Sequence, residues 1–224
     1  MLREMRTELP TPIRLRRLSR LLVAGPIALG LIAGLGLPAA AQATTPTSAP
    51  MYPGRYPFTP ADVRFISGMI SHHAQAIVMA GWAPSHGASQ SVRTLCERII
   101  NAQTDEITLM QNWLRDRHQA VPDAKAVPMR MMMNGVEQEM LMPGMLTDEQ
   151  MKQLNQANGT EFDRLFLRLM IQHHQGAITM VKQLFATPGA GQDEAVFKFA
   201  SDVNADQSTE VDRMQKMLIT LLGK

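Results

Sequence analysis

The chain has 224 residues, with 22 basic and 20 acidic side chains for a net charge of +2, and 45% of its residues are hydrophobic. A balance so close to neutral gives no argument for a nucleic-acid partner, and a single cysteine excludes an internal disulfide or a cysteine metal cluster. The unusual feature is eighteen methionines, against two tryptophans and two tyrosines.

Residues 1–43 hold six Arg and no Lys, followed by an apolar run from Leu21 to Ala41 that ends in Ala41-Gln42-Ala43. A basic start, an apolar middle and a small-residue end predict a secretory signal peptide. The apolar run is long enough that an uncleaved membrane anchor is the alternative. Without this segment the net charge is −2. Residues 44–58 are rich in Pro, Thr and Ser and read as a flexible linker. The remainder, 59–224, suits one domain.

A first helix opens at Thr59-Pro60-Ala61-Asp62, with Thr as N-cap, Pro at the first helical position and an acid in the first turn. It runs to about Trp82, where Ala83 to Gly87 breaks it, and His86 in that turn reads as a solvated loop histidine rather than a ligand. A second helix covers about Ser89 to Arg117. Cys96 falls on its apolar stripe, as a buried, inert thiol. Gln103 and Glu106 interrupt that stripe, and a buried carboxylate needs a partner: an imidazolium, a metal or an Arg. Next comes a methionine-rich crossover with Met129, Met131, Met132, Met133, Met140, Met142 and Met145, broken by Pro and Gly so that no long helix fits. These thioethers either wrap a soft ion or pack an adaptable hydrophobic lid. A short capped helix from Thr147 to about Ala157 follows, with Gln150 at the capping-box position.

The third long helix begins after Asn158-Gly159 and repeats the first. At a constant offset of 101, Asp62, Phe65, Met69, Ile70, His72, His73, Ala76, Ile77 and Met79 return as Asp163, Phe166, Met170, Ile171, His173, His174, Ala177, Ile178 and Met180. The fourth helix repeats the second at an offset of 104, so that Gln103, Glu106 and Met110 return as Gln207, Glu210 and Met214. The chain is thus repeat one (59–118), crossover (119–158) and repeat two (159–224). The expected fold is all-α: two αα-hairpins joined by a long crossover, the connection found in a ferritin-like four-helix bundle.

Residues three, four and seven apart share a helix face, so Met69, His72, His73 and Met79 line one stripe, and Met170, His173, His174 and Met180 another. Imidazole and thioether together select copper over magnesium, calcium or manganese. Met110 and Met214 are further candidate donors. Gln103, Glu106, Gln207 and Glu210 are candidate ligands or partners of the ligands.

The pattern Phe-x-x-x-Met-Ile-x-His-His-x-x-Ala-Ile-x-Met, followed by Ile-Ile-x-x-Gln-x-x-Glu-Ile-x-x-Met-x-x-Trp-Leu over Ile99 to Leu114, resembles the DUF305 family, which includes CopM-like periplasmic copper-binding proteins. The resemblance extends over about Thr59 to Gly223 and implies a ferritin-like four-helix bundle. The expected function is an exported, non-enzymatic copper-binding protein of the periplasm or exterior. It would sequester Cu(I), or silver, or hand it to a donor or acceptor protein of the envelope, in copper resistance or homeostasis. A metal-free interaction module is the alternative. A di-iron or di-manganese enzyme would need Glu-x-x-His on two helices, and no such motif occurs. With imidazole's ordinary pKa of about 6.5, copper on the four histidines is expected to weaken between roughly pH 6 and 5.

Overall fold

The computed structural model describes residues 57–125, 129–133 and 136–223, with side chains outside 126–140. The signal-peptide expectation and most of the linker lie outside these residues. Five helices are present: α1 (Pro60–Gly81), α2 (Gln90–Asp116), α3 (Asp148–Gln156), α4 (Gly159–Ala186) and α5 (Glu194–Leu222). The expected ends hold to within a residue or two because local chemistry sets them. Thr59 and Asp62 form a reciprocal capping box on α1, Thr147 and Gln150 another on α3, and Ser89 and Asp193 cap α2 and α5. No helix among the described residues is long and apolar enough to cross a membrane.

The fold is all-α, as two hairpins: α1 packs along α2 and α4 along α5, with α1 against α4 joining them. The crossover adds a two-stranded antiparallel ribbon, β1 (Met129–Met133) and β2 (Val136–Met140), in which Met129 faces Met140 and Met131 faces Gln138.

The core divides into two apolar clusters. One takes Met69 and Ile70 of α1, Ile107, Met110 and Trp113 of α2, Met142 and Met145 of the crossover, Met180 of α4 and Val196, Ala200 and Val203 of α5. The other takes Met79 of α1, Val92, Leu95, Cys96 and Ile99 of α2, Phe162, Phe166 and Met170 of α4, and Val211 and Met214 of α5. Each repeat therefore contributes to both, as two antiparallel copies of one hairpin must. The repeated aspartates lock the copies together. Asp62 of repeat one accepts from the Gly191 amide of the α4–α5 loop at 2.7 Å, and Asp163 of repeat two accepts from the Ser89 amide of the α1–α2 loop at 3.1 Å.

Candidate metal centre

Between the two apolar clusters lies a polar band. On α2 the buried positions run Val92, Leu95, Cys96 and Ile99, then Gln103, then Ile107 and Met110; on α5 they run Val196, Ala200 and Val203, then Gln207, then Val211 and Met214. Four fully buried histidines lie at this level, His72 and His73 from α1 and His173 and His174 from α4. The rings of His72 and His173 have centroids 3.8 Å apart, whereas the sequential pairs are separated by 6.4 and 6.3 Å. The two histidine pairs therefore face each other at one level of the bundle.

Each outer histidine is held by the glutamate that interrupts the apolar stripe of its hairpin partner. His73 Nε2 lies 2.7 Å from Glu106 Oε2, and His174 Nε2 lies 2.7 Å from Glu210 Oε2. The partner that the sequence required for each carboxylate is thus an imidazole. His72 Nε2 donates to the Pro143 carbonyl at 3.0 Å. In all three rings the occupied nitrogen is Nε2. A neutral imidazole with its proton on Nε2 carries its lone pair on Nδ1. The Nδ1 atoms of all four histidines are buried without a hydrogen-bond partner, as are His173 Nε2, Gln103 Oε1 and Gln207 Oε1. An orphaned buried polar atom costs roughly 1–3 kcal/mol, so a concentration of them at one level marks a place built to be completed by something else.

Burial is also the main cause that pushes His72 down to about 3, assisted by the neighbouring histidines and only partly opposed by the Pro143 carbonyl. His173 is held well below its ordinary value for the same reason, with His72 its strongest charged neighbour. Burial holds both rings below the range of an exposed imidazole, so their loss of metal to acid is expected at lower pH than the roughly 6 to 5 of an exposed ring.

The six candidate-donor methionines of the helices are buried in the two clusters: Met69, Met110 and Met180 in one, Met79, Met170 and Met214 in the other. Met142 and Met145 join the first, making it richer in thioethers. Among the described residues no three His, Cys, Asp or Glu side chains converge to hold an ion, so a coordination set here would need sulfur or amide oxygen as well. The side chains of Met129, Met131, Met132, Met133 and Met140 lie outside the described residues.

The crossover closes one side of the centre. Gln75 binds the Leu146 amide at 2.7 Å and the Leu146 carbonyl at 3.0 Å, while Gly176, at the same repeat position, lets the chain pass directly over α4. A Cβ on Gly176 would stand 1.9 Å from the Pro143 oxygen. Sequence reasoning did not find this strap; the departure of Gln75 and Gly176 from the repeat was its one signal. His86 is less solvated than expected. Its Nε2 bonds the Asn155 carbonyl at 2.8 Å and its Nδ1 contacts Ser85 and Trp82, so it ties the α1–α2 loop to α3. Cys96 is buried, with its thiol pushed up to about 12, chiefly by burial.

Two repeated helical hairpins with paired histidines facing each other across a polar band define the class of protein. The chain belongs to the DUF305 family, a domain of unknown function whose model matches residues 62–218. Among solved structures it is similar to a DUF305 protein from Streptomyces coelicolor (27% identity, TM-score 0.60, covering 72% of this chain and 93% of that one) and to a DUF305 fragment from Deinococcus radiodurans (26%, 0.60, 72% and 97%). It is also similar to CopM, solved in Cu(II)-bound (30%, 0.55), Cu(I)-bound (28%, 0.54) and Ag-bound (27%, 0.53) forms, covering 71% of this chain and 96% of that one. No curated protein matches the chain in sequence.

Proposed function

We propose that the protein is an exported copper-binding protein that takes up Cu(I) on imidazole and thioether donors. It sequesters the ion or passes it to a partner in the envelope, in copper resistance or homeostasis. The observation that carries this reading is the set of four buried Nδ1 atoms without partners, three of them on rings whose Nε2 is already occupied by a carboxylate or carbonyl. That is how a protein orients a metal-binding histidine: the far nitrogen donates to an oxygen, which fixes the tautomer and leaves the near lone pair free. Methionine-lined clusters on both sides select a soft ion, and silver fits the same donors. Membership of DUF305 and the copper- and silver-bound forms of CopM support the reading, and the N-terminal segment supports export. The role is binding and needs no catalysis.

The test is anaerobic Cu(I) titration of the purified protein against a competing chelator, with Zn(II) in competition. Cu(I) should displace Zn(II), since the donors lack a cysteine cluster. Equal or tighter zinc binding would remove the copper reading.

A further inference from the structure

The buried imidazoles are closed off on three sides. The apolar clusters plug both ends of the centre, and the crossover covers His72, fixed by the Pro143 carbonyl, by Gln75 and by the close approach of Gly144 to Gly176. The fourth side is the seam between α2 and α5, which are tied to each other at one end, where Trp113 and Arg117 bond Asp193, but pack chiefly on α1 and α4. There Glu106 and Glu210, with side chains 20% and 19% exposed, both touch a histidine of the centre and reach water. Gln103 and Gln207 lie one turn away on the same helix faces, almost wholly buried, each with an Oε1 that no donor satisfies. Asp206 stands at the exposed rim. It lies one turn before Glu210 on the same face of α5, and its carboxyl is pushed up first by partial desolvation and then by the charge of Glu106, Asp202 and Glu210.

We propose that this seam is the port by which a monovalent soft cation enters, with Asp206, Glu106 and Glu210 drawing it in and the Gln103 and Gln207 oxygens replacing its water on the way. The inference rests on the copper-binding reading and adds the direction of entry. A carboxylate-lined mouth with low-dielectric walls concentrates cations and raises their on-rate. An amide oxygen without a donor is an acceptor waiting for a proton donor or a cation. The competing entrance is a cleft of about 290 Å³ on the crossover side, lined by Phe65, Leu141, Met142, Met180 and Leu184. It offers thioethers, but Arg64, which also lines it, carries the wrong charge.

The probe is aqueous Ag(I) in nitrate medium, which carries its own charge with no chelator, followed by stopped-flow absorbance on the full-length protein. Asp206→Lys changes an exposed residue that touches no histidine. It should slow loading about tenfold at low ionic strength, with the difference shrinking in about 0.5 M sodium nitrate, and leave the silver bound at saturation unchanged. Gln183→Cys at the rim of the apolar cleft, blocked with a bulky maleimide while Cys96 stays buried and unreactive, should load at the parental rate. Parental kinetics in Asp206→Lys, or loss of loading on blocking the cleft, would overturn the port alone. A parent protein that takes up no silver and no Cu(I) would remove the copper reading and the port with it.

Discussion

Each histidine of the centre depends on what holds its far nitrogen. Glu106 and Glu210 accept from His73 and His174, so Glu106→Gln and Glu210→Gln keep the shape but weaken the grip on the tautomer. Each should lower copper affinity about 10–100-fold with little change in the number of ions bound, read by chelator competition. These glutamates were legible in the sequence, because a polar residue on an apolar stripe, repeated at a fixed offset, is a strong departure from pattern. Gly176 was not, since its role depends on a segment thirty residues away. With Pro143 backbone in the space a methyl would need, Gly176→Ala should destabilise the fold by about 1–3 kcal/mol in urea unfolding, or displace the crossover. An unchanged unfolding midpoint would mean that the strap is not held as tightly as the geometry indicates.

Helix ends could be read in advance because caps are local: a Thr, Pro and Asp within four residues settle where α1 begins whatever lies around it. The pairing of α1 with α4 is a long-range matter, and spacing alone left open whether the repeat made two sites or one. The 3.8 Å separation of His72 and His173 favours one. Replacing His72 and His73 together by Ala should therefore abolish nearly all histidine-held copper, whereas separate sites would keep about half; metal content at saturation tells them apart. The ribbon in the crossover escaped sequence reading because methionine runs have no strong strand signal, and pairing of β1 with β2 comes from backbone register. Replacing Met129, Met131, Met132, Met133, Met140, Met142 and Met145 by Leu keeps the apolar bulk and removes the sulfur. If the crossover captures copper, that variant should bind fewer ions than the parent at both pH 7.5 and 5, because a thioether holds copper with no proton to gain, while histidine-held copper stays; binding equal to the parent at both would make the segment a lid.

For the whole molecule, the buried rings of His72 and His173, which burial favours in the neutral form, tie stability to pH. In the unfolded chain a histidine titrates near 6.5, whereas in the folded protein His72 titrates at about 3 and His173 well below 6.5. Between those limits the unfolded state binds protons that the folded state refuses, so the stability from keeping these rings neutral is present above about pH 6.5 and lost as pH falls. His72 alone contributes a slope of about 1.4 kcal/mol per pH unit below 6.5, so it should cost the metal-free protein about 2 kcal/mol between pH 7.5 and 5, and His173 adds to this in the same direction. Against a typical total of roughly 5–15 kcal/mol, that is enough to lower the unfolding midpoint visibly. A bound ion adds stability through mass action, so the silver-loaded protein should unfold at higher urea than the metal-free protein at pH 7. His173→Leu separates this from general acid sensitivity: it removes one titrating ring with both nitrogens unpartnered and fills the space with carbon. The variant should be more stable than the parent at pH 5 and lose stability on acidification with a shallower slope than the parent, measured by urea midpoints at half-unit steps. A variant with the full parental slope would show that the acid sensitivity arises elsewhere in the chain.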